Sequence, residues 1–178
     1  MNRSPAQRAA RSIGLGELSV MAATSIDHLS HPAVRDFLVA ERVARLATAD
    51  SSGRPHVIPV CFWFDGTRLY FAIDEKPKRA RGGGLKRMRN IADNPQVAFV
   101  ADHYEDDWTQ LAYVMIRGEA RIVEDREEYL LVLRNLRDKY LGYRAMQLSR
   151  DRNPIVRIDP RRVNIWGERF RAALAERP

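Results

Sequence analysis

An antiparallel β-barrel with helical additions is the fold class this sequence predicts. Six or seven strand-sized apolar runs follow one another at hairpin spacing, turn signals separate them, and the helical stretches are set between runs of strands. The chain has 178 residues, enough for a single domain that buries its own core.

Taken in order, residues 1–26 read as a disordered or loosely attached N-terminal extension, arginine-rich and without an acid before Glu17. Residues 27–178 read as a single barrel domain. A helix is expected from Ser30: Ser30 can cap it, Pro32 suits its first turn, and Val34, Phe37, Leu38 and Val39 form a stripe. VARLATAD is the first strand of the barrel, ending in Asp50-Ser51-Ser52-Gly53, which is hairpin-turn chemistry. PHVIPVCFWF is the second, and Asp65-Gly66 turns it into TRLYFAID, the third. LKRMRNIADNP gives a short helix that stops before Pro95, and QVAFVAD the fourth strand. After the acidic loop HYEDDW, TQLAYVMIRGEARIVED is one long strand, or two with a break at Gly118. REEYLLVLRNLRDKYLG is an amphipathic helix with Tyr129, Leu130, Leu133, Leu136 and Tyr140 on one side and Gly142 past its end. Residues 154–159 and 162–166 read as two short strands broken at Pro160, and Glu168 to Glu176 as a terminal helix.

Charge is where the sequence departs from the ordinary. KPKRARGGGLKRMRN, residues 76–90, carries Lys76, Lys78, Arg79, Arg81, Lys86, Arg87 and Arg89 with no acid, which accounts for the whole formal net charge of +7. Proteins that coat nucleic acid or a membrane spread basic residues over a face, and single-stranded nucleic-acid sites interleave aromatics; this stretch is local and has none. It suits a compact anion instead. Backbone amides in a glycine-rich turn, a helix N-terminus and nearby Lys and Arg side chains together make a phosphate site. Lys76, Lys78 and Arg79 are its first candidates, with Lys86 and Arg87 on the opening turn of the helix; Arg81 and Arg89 are expected to face water. Gly82-Gly83-Gly84 lacks G-x-G-x-x-G spacing and a βαβ context, so it is either a phosphate-cradling turn or a surface insertion.

The remaining chemistry is sparse. Alternation places His56, Ile58 and Val60 on one side of the second strand, and Pro59 within it marks an unpaired or ligand-facing position. No Ser/His/Asp set and no paired carboxylates fall at usable spacing, and the acidic loop 102–107 reads as solvated rather than metal-binding. The single cysteine, Cys61, reads as a buried thiol; it excludes an internal disulfide and fits a reducing, cytoplasmic compartment. The apolar runs are too short to span a bilayer as helices.

Several local motifs point to one family. Gly53-Arg54-Pro55-His56 opens the second strand, Lys76-Pro77-Lys78-Arg79 follows the third, and Asn90-Ile91 with Asn94-Pro95 ends the short helix. Asp102-His103-Tyr104 leads on to Trp108, and Asn164-Ile165-Trp166-Gly167 closes the last strand. Over residues 30–167 the chain resembles the pyridoxamine 5'-phosphate oxidase-like split β-barrel family, on its F420-dependent branch. The resemblance implies an FMN-binding-like split barrel and a homodimer, with a cofactor in a groove between subunits and its phosphate beside the crossover after the third strand. It implies hydride transfer to or from a small organic substrate through coenzyme F420, with FMN as the alternative. The cofactor contacts it implies are His56, Pro59, Val60, Asp74, Lys76, Lys78, Arg79, Lys86, Arg87, Trp108 and Trp166. The glycine tract from Arg81 to Gly84 is longer than the family pattern, which shifts Lys86 and Arg87 against it by a residue or two. No catalytic side chain is indicated. A non-catalytic carrier of the same cofactor and a nucleic-acid binder acting through residues 76–89 are the competing readings.

Overall fold

The computed structural model describes residues 22–74 and 84–175. Among them, eight strands form one antiparallel sheet: β1 (Ala22–Thr24), β2 (Ala44–Ala49), β3 (Pro55–Val60), β4 (Trp63–Phe64), β5 (Leu69–Ala72), β6 (Gln96–His103), β7 (Ala112–Ile122) and β8 (Ile155–Gly167). Their order is β3-β2-β6-β7-β8-β5-β4, with β1 added on β8. The sheet curls into a half-barrel, and β3 and β4 are its two ends although they are neighbours in sequence. The barrel is therefore split between the free edge of β3 and the β4–β5 hairpin.

Alternation sorts the residues. Leu46, Phe99, Ile116 and Val163 sit in one cross-strand row and are fully buried. Phe62 meets Phe99 edge-on at 4.9 Å. β5 is buried on both faces. Leu69 and Phe71 join the barrel core, while Tyr70 and Ala72 join a second cluster with Tyr129, Val132, Leu133 and Leu136.

Helices plug and flank the sheet: α1 (Pro32–Ala40), α2 (Lys86–Asp93), α3 (Arg126–Lys139), α4 (Leu141–Arg144) and α5 (Arg171–Ala175). α1 buries Val34, Phe37 and Leu38, and its cap is His31, whose Nδ1 accepts from the Ala33 amide at 3.2 Å, rather than Ser30. α3 buries Val132, not Leu130, which is 50% exposed.

Four boundaries differ from expectation. The N-terminal segment is tied down from Ala22, which pairs with Trp166, and buries Leu29, so the attached part begins before residue 27. The second strand breaks at Cys61-Phe62: β3 pairs with β2, whereas β4 pairs with β5. α3 stops at Lys139, because Tyr140 is extended (φ −128°, ψ 112°), and Gly142 lies inside α4. β8 runs unbroken through Pro160, opposite a register shift at Arg117/Gly118. β7 is a single strand. No described helix is long and apolar enough to cross a membrane.

Candidate functional site

The site is built from the turn between β2 and β3. Asp50 is 6% exposed and works as a hub. Its Oδ1 accepts from the amides of Ser52 (3.1 Å) and Arg54 (3.0 Å), and its Oδ2 from Arg54 Nε (3.1 Å) and Lys86 Nζ (2.8 Å). Gly53, at φ 77°, closes the turn in the left-handed region. The Lys86 hydrogen bond, reinforced by the Arg54 amide, holds the Asp50 carboxyl far below the usual carboxylate range. Lys86 is therefore a strut between the turn and the first residue of α2. A second strut is buried beneath it: Asn90 Nδ2 donates to Thr48 Oγ1 at 2.9 Å, and Thr48 Oγ1 donates to the carbonyl of His56 at 3.4 Å.

These struts set α2 across the open seam of the barrel, and a cavity of about 220 Å³ lies there. Ile58, Pro59 and Val60 from β3 form one side, Ala72 and Asp74 at the end of β5 another, with Arg87 of α2 and Tyr143 of α4 closing it. Tyr143 Oη donates to Asp74 Oδ2 at 3.4 Å. Burial lowers the Arg87 pKa from its ordinary value, opposed by the charges of Asp74 and Tyr143. Burial also drives the Tyr143 phenol well upward, with Cys61 and Asp74 adding to it. Arg87 Nε is buried and has no hydrogen-bond partner. The N-terminus of α2 is open as well: Leu85 caps it without a side-chain hydrogen bond, and its first turn carries no acid. A buried guanidinium nitrogen with an unmet donor, beside uncapped helix amides, is suited to an anion with several acceptor oxygens.

Of the expected cofactor residues, Pro59, Val60, Asp74 and Arg87 come together in this cavity. His56 lies further back on β3, on the barrel-facing side with Ile58 and Val60. Lys86 is adjacent in sequence but engaged by Asp50. Trp108 is 61% exposed in the turn before β7, and Trp166 stacks on Tyr113 (5.8 Å between ring centroids, 15° between planes), and neither lines the seam cavity. Lys76, Lys78, Arg79 and Arg81 lie outside the described residues. Tyr143, absent from the sequence expectations, lines the cavity. Its signal was the run YLGYR, where two tyrosines flank a glycine at a helix end. Cys61 also lines the cavity and is only half-buried. Among the described residues no cluster of His, Cys, Asp and Glu is arranged to hold a metal.

A sequence profile described as Pyridoxamine 5'-phosphate oxidase matches residues 30–167. The chain is 29% identical over 137 residues to 5a,11a-dehydrotetracycline/5a,11a-dehydrooxytetracycline reductase of Streptomyces rimosus, spanning 74% of this chain and 78% of that protein. Among solved structures, a conserved hypothetical protein of Mycobacterium tuberculosis superposes with a TM-score of 0.63 at 24% identity, covering 84% of this chain and 89% of that one. An F420 reductase superposes with a TM-score of 0.51 at 25% identity, covering 72% and 94%.

Proposed function

The chain belongs to the pyridoxamine 5'-phosphate oxidase family, and from that premise we propose that it is an oxidoreductase that seats the phosphate-bearing part of coenzyme F420 in the seam cavity. FMN is the alternative cofactor, and a homodimer the working unit. The observation that carries the reading is Arg87 Nε, buried at the cavity without a partner beside the open N-terminus of α2. The likeness to a tetracycline-type reductase and to an F420 reductase supports the reaction class and the order of the two cofactors.

The residues fit such a group. Arg87 offers a donor fork to phosphate oxygens, and the first amides of α2 offer more. Asp74 offers an acceptor for a hydroxyl or amide hydrogen beside the phosphate. Pro59 and Val60 supply apolar walls that exclude water. Lys76, Lys78 and Arg79 are proposed as further phosphate partners, and Trp108 and Trp166 as walls reaching across to the other subunit. Known small-molecule pockets occupy about 300–1,000 Å³, so the 220 Å³ of the seam holds part of a cofactor and not the whole. That shortfall supports a site completed by a second subunit. When bound, the cofactor supplies hydride transfer; the chain binds, orients and desolvates.

Fluorescence titration of the purified protein with F420 and with FMN, taken separately, tests this. One of the two is expected to bind saturably, and Arg87→Gln to weaken it about tenfold or more, since a charge-assisted hydrogen bond contributes about 1.5–3 kcal/mol and tenfold is about 1.4 kcal/mol. Binding of neither cofactor, or an unchanged affinity in Arg87→Gln, would overturn the assignment. Reduced cofactor mixed with a panel of unsaturated acceptors separates an enzyme from a carrier, which binds without turnover.

A further inference from the structure

A second cavity, of about 340 Å³, adjoins the seam, and the two share Cys61 and Tyr143 as a common wall. Its size falls within the range of whole small-molecule pockets, about 300–1,000 Å³. The lining is aromatic and apolar. Tyr140 and Tyr143 meet edge-on at 5.7 Å and 84°, and Leu141 and Met146 complete the walls. The Tyr140 ring is fixed by its own hydroxyl, which accepts from the Phe62 amide at 3.0 Å and sits 2.8 Å from the carbonyls of Arg42 and Phe62. A rigid aromatic corner of this kind favours a planar apolar guest, because aromatic contacts are made without ordering flexible side chains.

One charged group lines the cavity. The Arg42 guanidinium lies over the Tyr140 ring, 4.7 Å from its centroid. Among the described residues it has no carboxylate partner within ion-pairing distance. Lys139 adds to the positive field: its ammonium is 5.7 Å from the same ring, and burial together with the Arg42 charge lowers its pKa to about 8, with Glu41 opposing. A stacked guanidinium keeps its donor edge available for a planar anion.

Beside the phosphate seat proposed above, we infer that this cavity is a second ligand pocket: it takes a planar, apolar molecule bearing an acidic oxygen, which pairs with Arg42. The wall shared with the seam keeps such a molecule apart from the cofactor cavity. Arg42 sets preference for acidic ligands, while Tyr140, Tyr143 and Met146 set their shape.

Two fluorescent probes of similar shape test the pocket in the full-length protein: anilinonaphthalenesulfonate, which is anionic, and phenylnaphthylamine, which is neutral. Both are expected to bind. Arg42→Gln is expected to weaken the sulfonate about tenfold, the loss of one charge-assisted contact, and to leave the neutral probe unchanged. Met146→Trp, which fills the cavity, is expected to weaken both probes at least tenfold while F420 titrates as in the wild type. Equal sulfonate affinity in wild type and Arg42→Gln, or indifference of both probes to Met146→Trp, would overturn the pocket. So would displacement of the sulfonate by saturating F420, since the two sites would then be one. If F420 fails to bind the wild type while both probes respond as expected, the pocket stands as a ligand site and the cofactor reading alone falls.

Discussion

Lys86 and Arg87 are neighbours of the same charge on the first turn of one helix, yet the structure gives them different work. A helix turns about 100° per residue, which aims Lys86 at the β2–β3 turn and Arg87 into the seam. The sequence expectation treated them alike, since composition shows charge and not direction. Lys86 is bonded to Asp50, 36 residues away in sequence, while Arg87 feels the charge of Asp74 across the cavity, and only the fold shows which acid each one faces. His56 enters the network through its backbone carbonyl, which accepts from Thr48. Predictions at this scale follow from the Asp50 hub. Its carboxyl is held below the ordinary range by Lys86 and the Arg54 amide. A depressed acid contributes stability above its unfolded pKa, about 3.9, and loses it as pH falls through the lower folded value. Asp50→Asn is therefore expected to have a lower Tm than wild type at pH 7, with the gap narrowing below about pH 4; thermal melts across pH 3 to 7 measure it. A gap that stayed constant over that range would mean that the carboxylate charge contributes nothing. Lys86→Met is expected to lower the Tm at pH 7 as well, while moving cofactor affinity less than Arg87→Gln does.

The elements were legible where periodicity is long and turn chemistry strong. Strands β2, β5 and β6 and the short α2 before Pro95 were read within a residue or two, because alternation, Asp-Gly turns and a proline stop are local signals. The errors fall where a tertiary contact overrides the local rule. Pro160 lacks an amide hydrogen, which argues against an unbroken central strand. Yet β8 is flanked by two short strands, β5 over Ile155–Ile158 and β1 over Asn164–Trp166, and between them its outer edge pairs with no strand. Proline sits in that gap, beside the bulge at Gly118, where a missing donor costs no ladder bond. Tyr140 is the second case: its hydroxyl, clamped at the Cys61-Phe62 break, ends α3 three residues before its glycine. Gly118 offers the sharper test. A Cβ there would lie 2.3 Å from the carbonyl oxygen of Asp159, a backbone atom that cannot swing aside. Gly118→Ala is expected to cost about 1–3 kcal/mol, as overpacking does, which lowers Tm by about 2–4 °C per kcal/mol in a chain of this size. A melt unchanged from wild type would mean that the β7–β8 bulge relaxes freely and does not fix the register.

At the scale of the whole molecule, α3 covers the outer face at β5, but the same face is left open from β3 to β7, and its composition bears on the proposed dimer. Cross-strand partners share a face, so Val57, Ala47 and Ala98 form one outward row, and Pro59, Arg45, Val100 and Met115 the next. Asp102, Tyr113 and Trp166 follow in a third, with Arg45 and Asp102 joined by a salt bridge at 3.2 Å. Val57 is 60% exposed, and Ala47, Ala98, Val100 and Met115 are only half-covered. An open apolar stretch of this kind on a sheet marks an interaction surface, and in a homodimer the same patch meets its own copy about a twofold axis. It adjoins the free edge of β3, where the undersized seam cavity opens, so a second subunit seated there would complete the cofactor pocket and bring Trp108 or Trp166 toward it. Sedimentation equilibrium is expected to give twice the 20.5 kDa chain mass. Met115→Arg, which places a charge in the middle of the patch, is expected to shift the mass toward the monomer and to weaken cofactor binding by more than tenfold together, although Met115 lines no part of the seam. Dissociation to monomers with cofactor affinity intact would show that one subunit holds the whole cofactor, and the composite site would have to be abandoned even with Arg87 still in place as its anion partner.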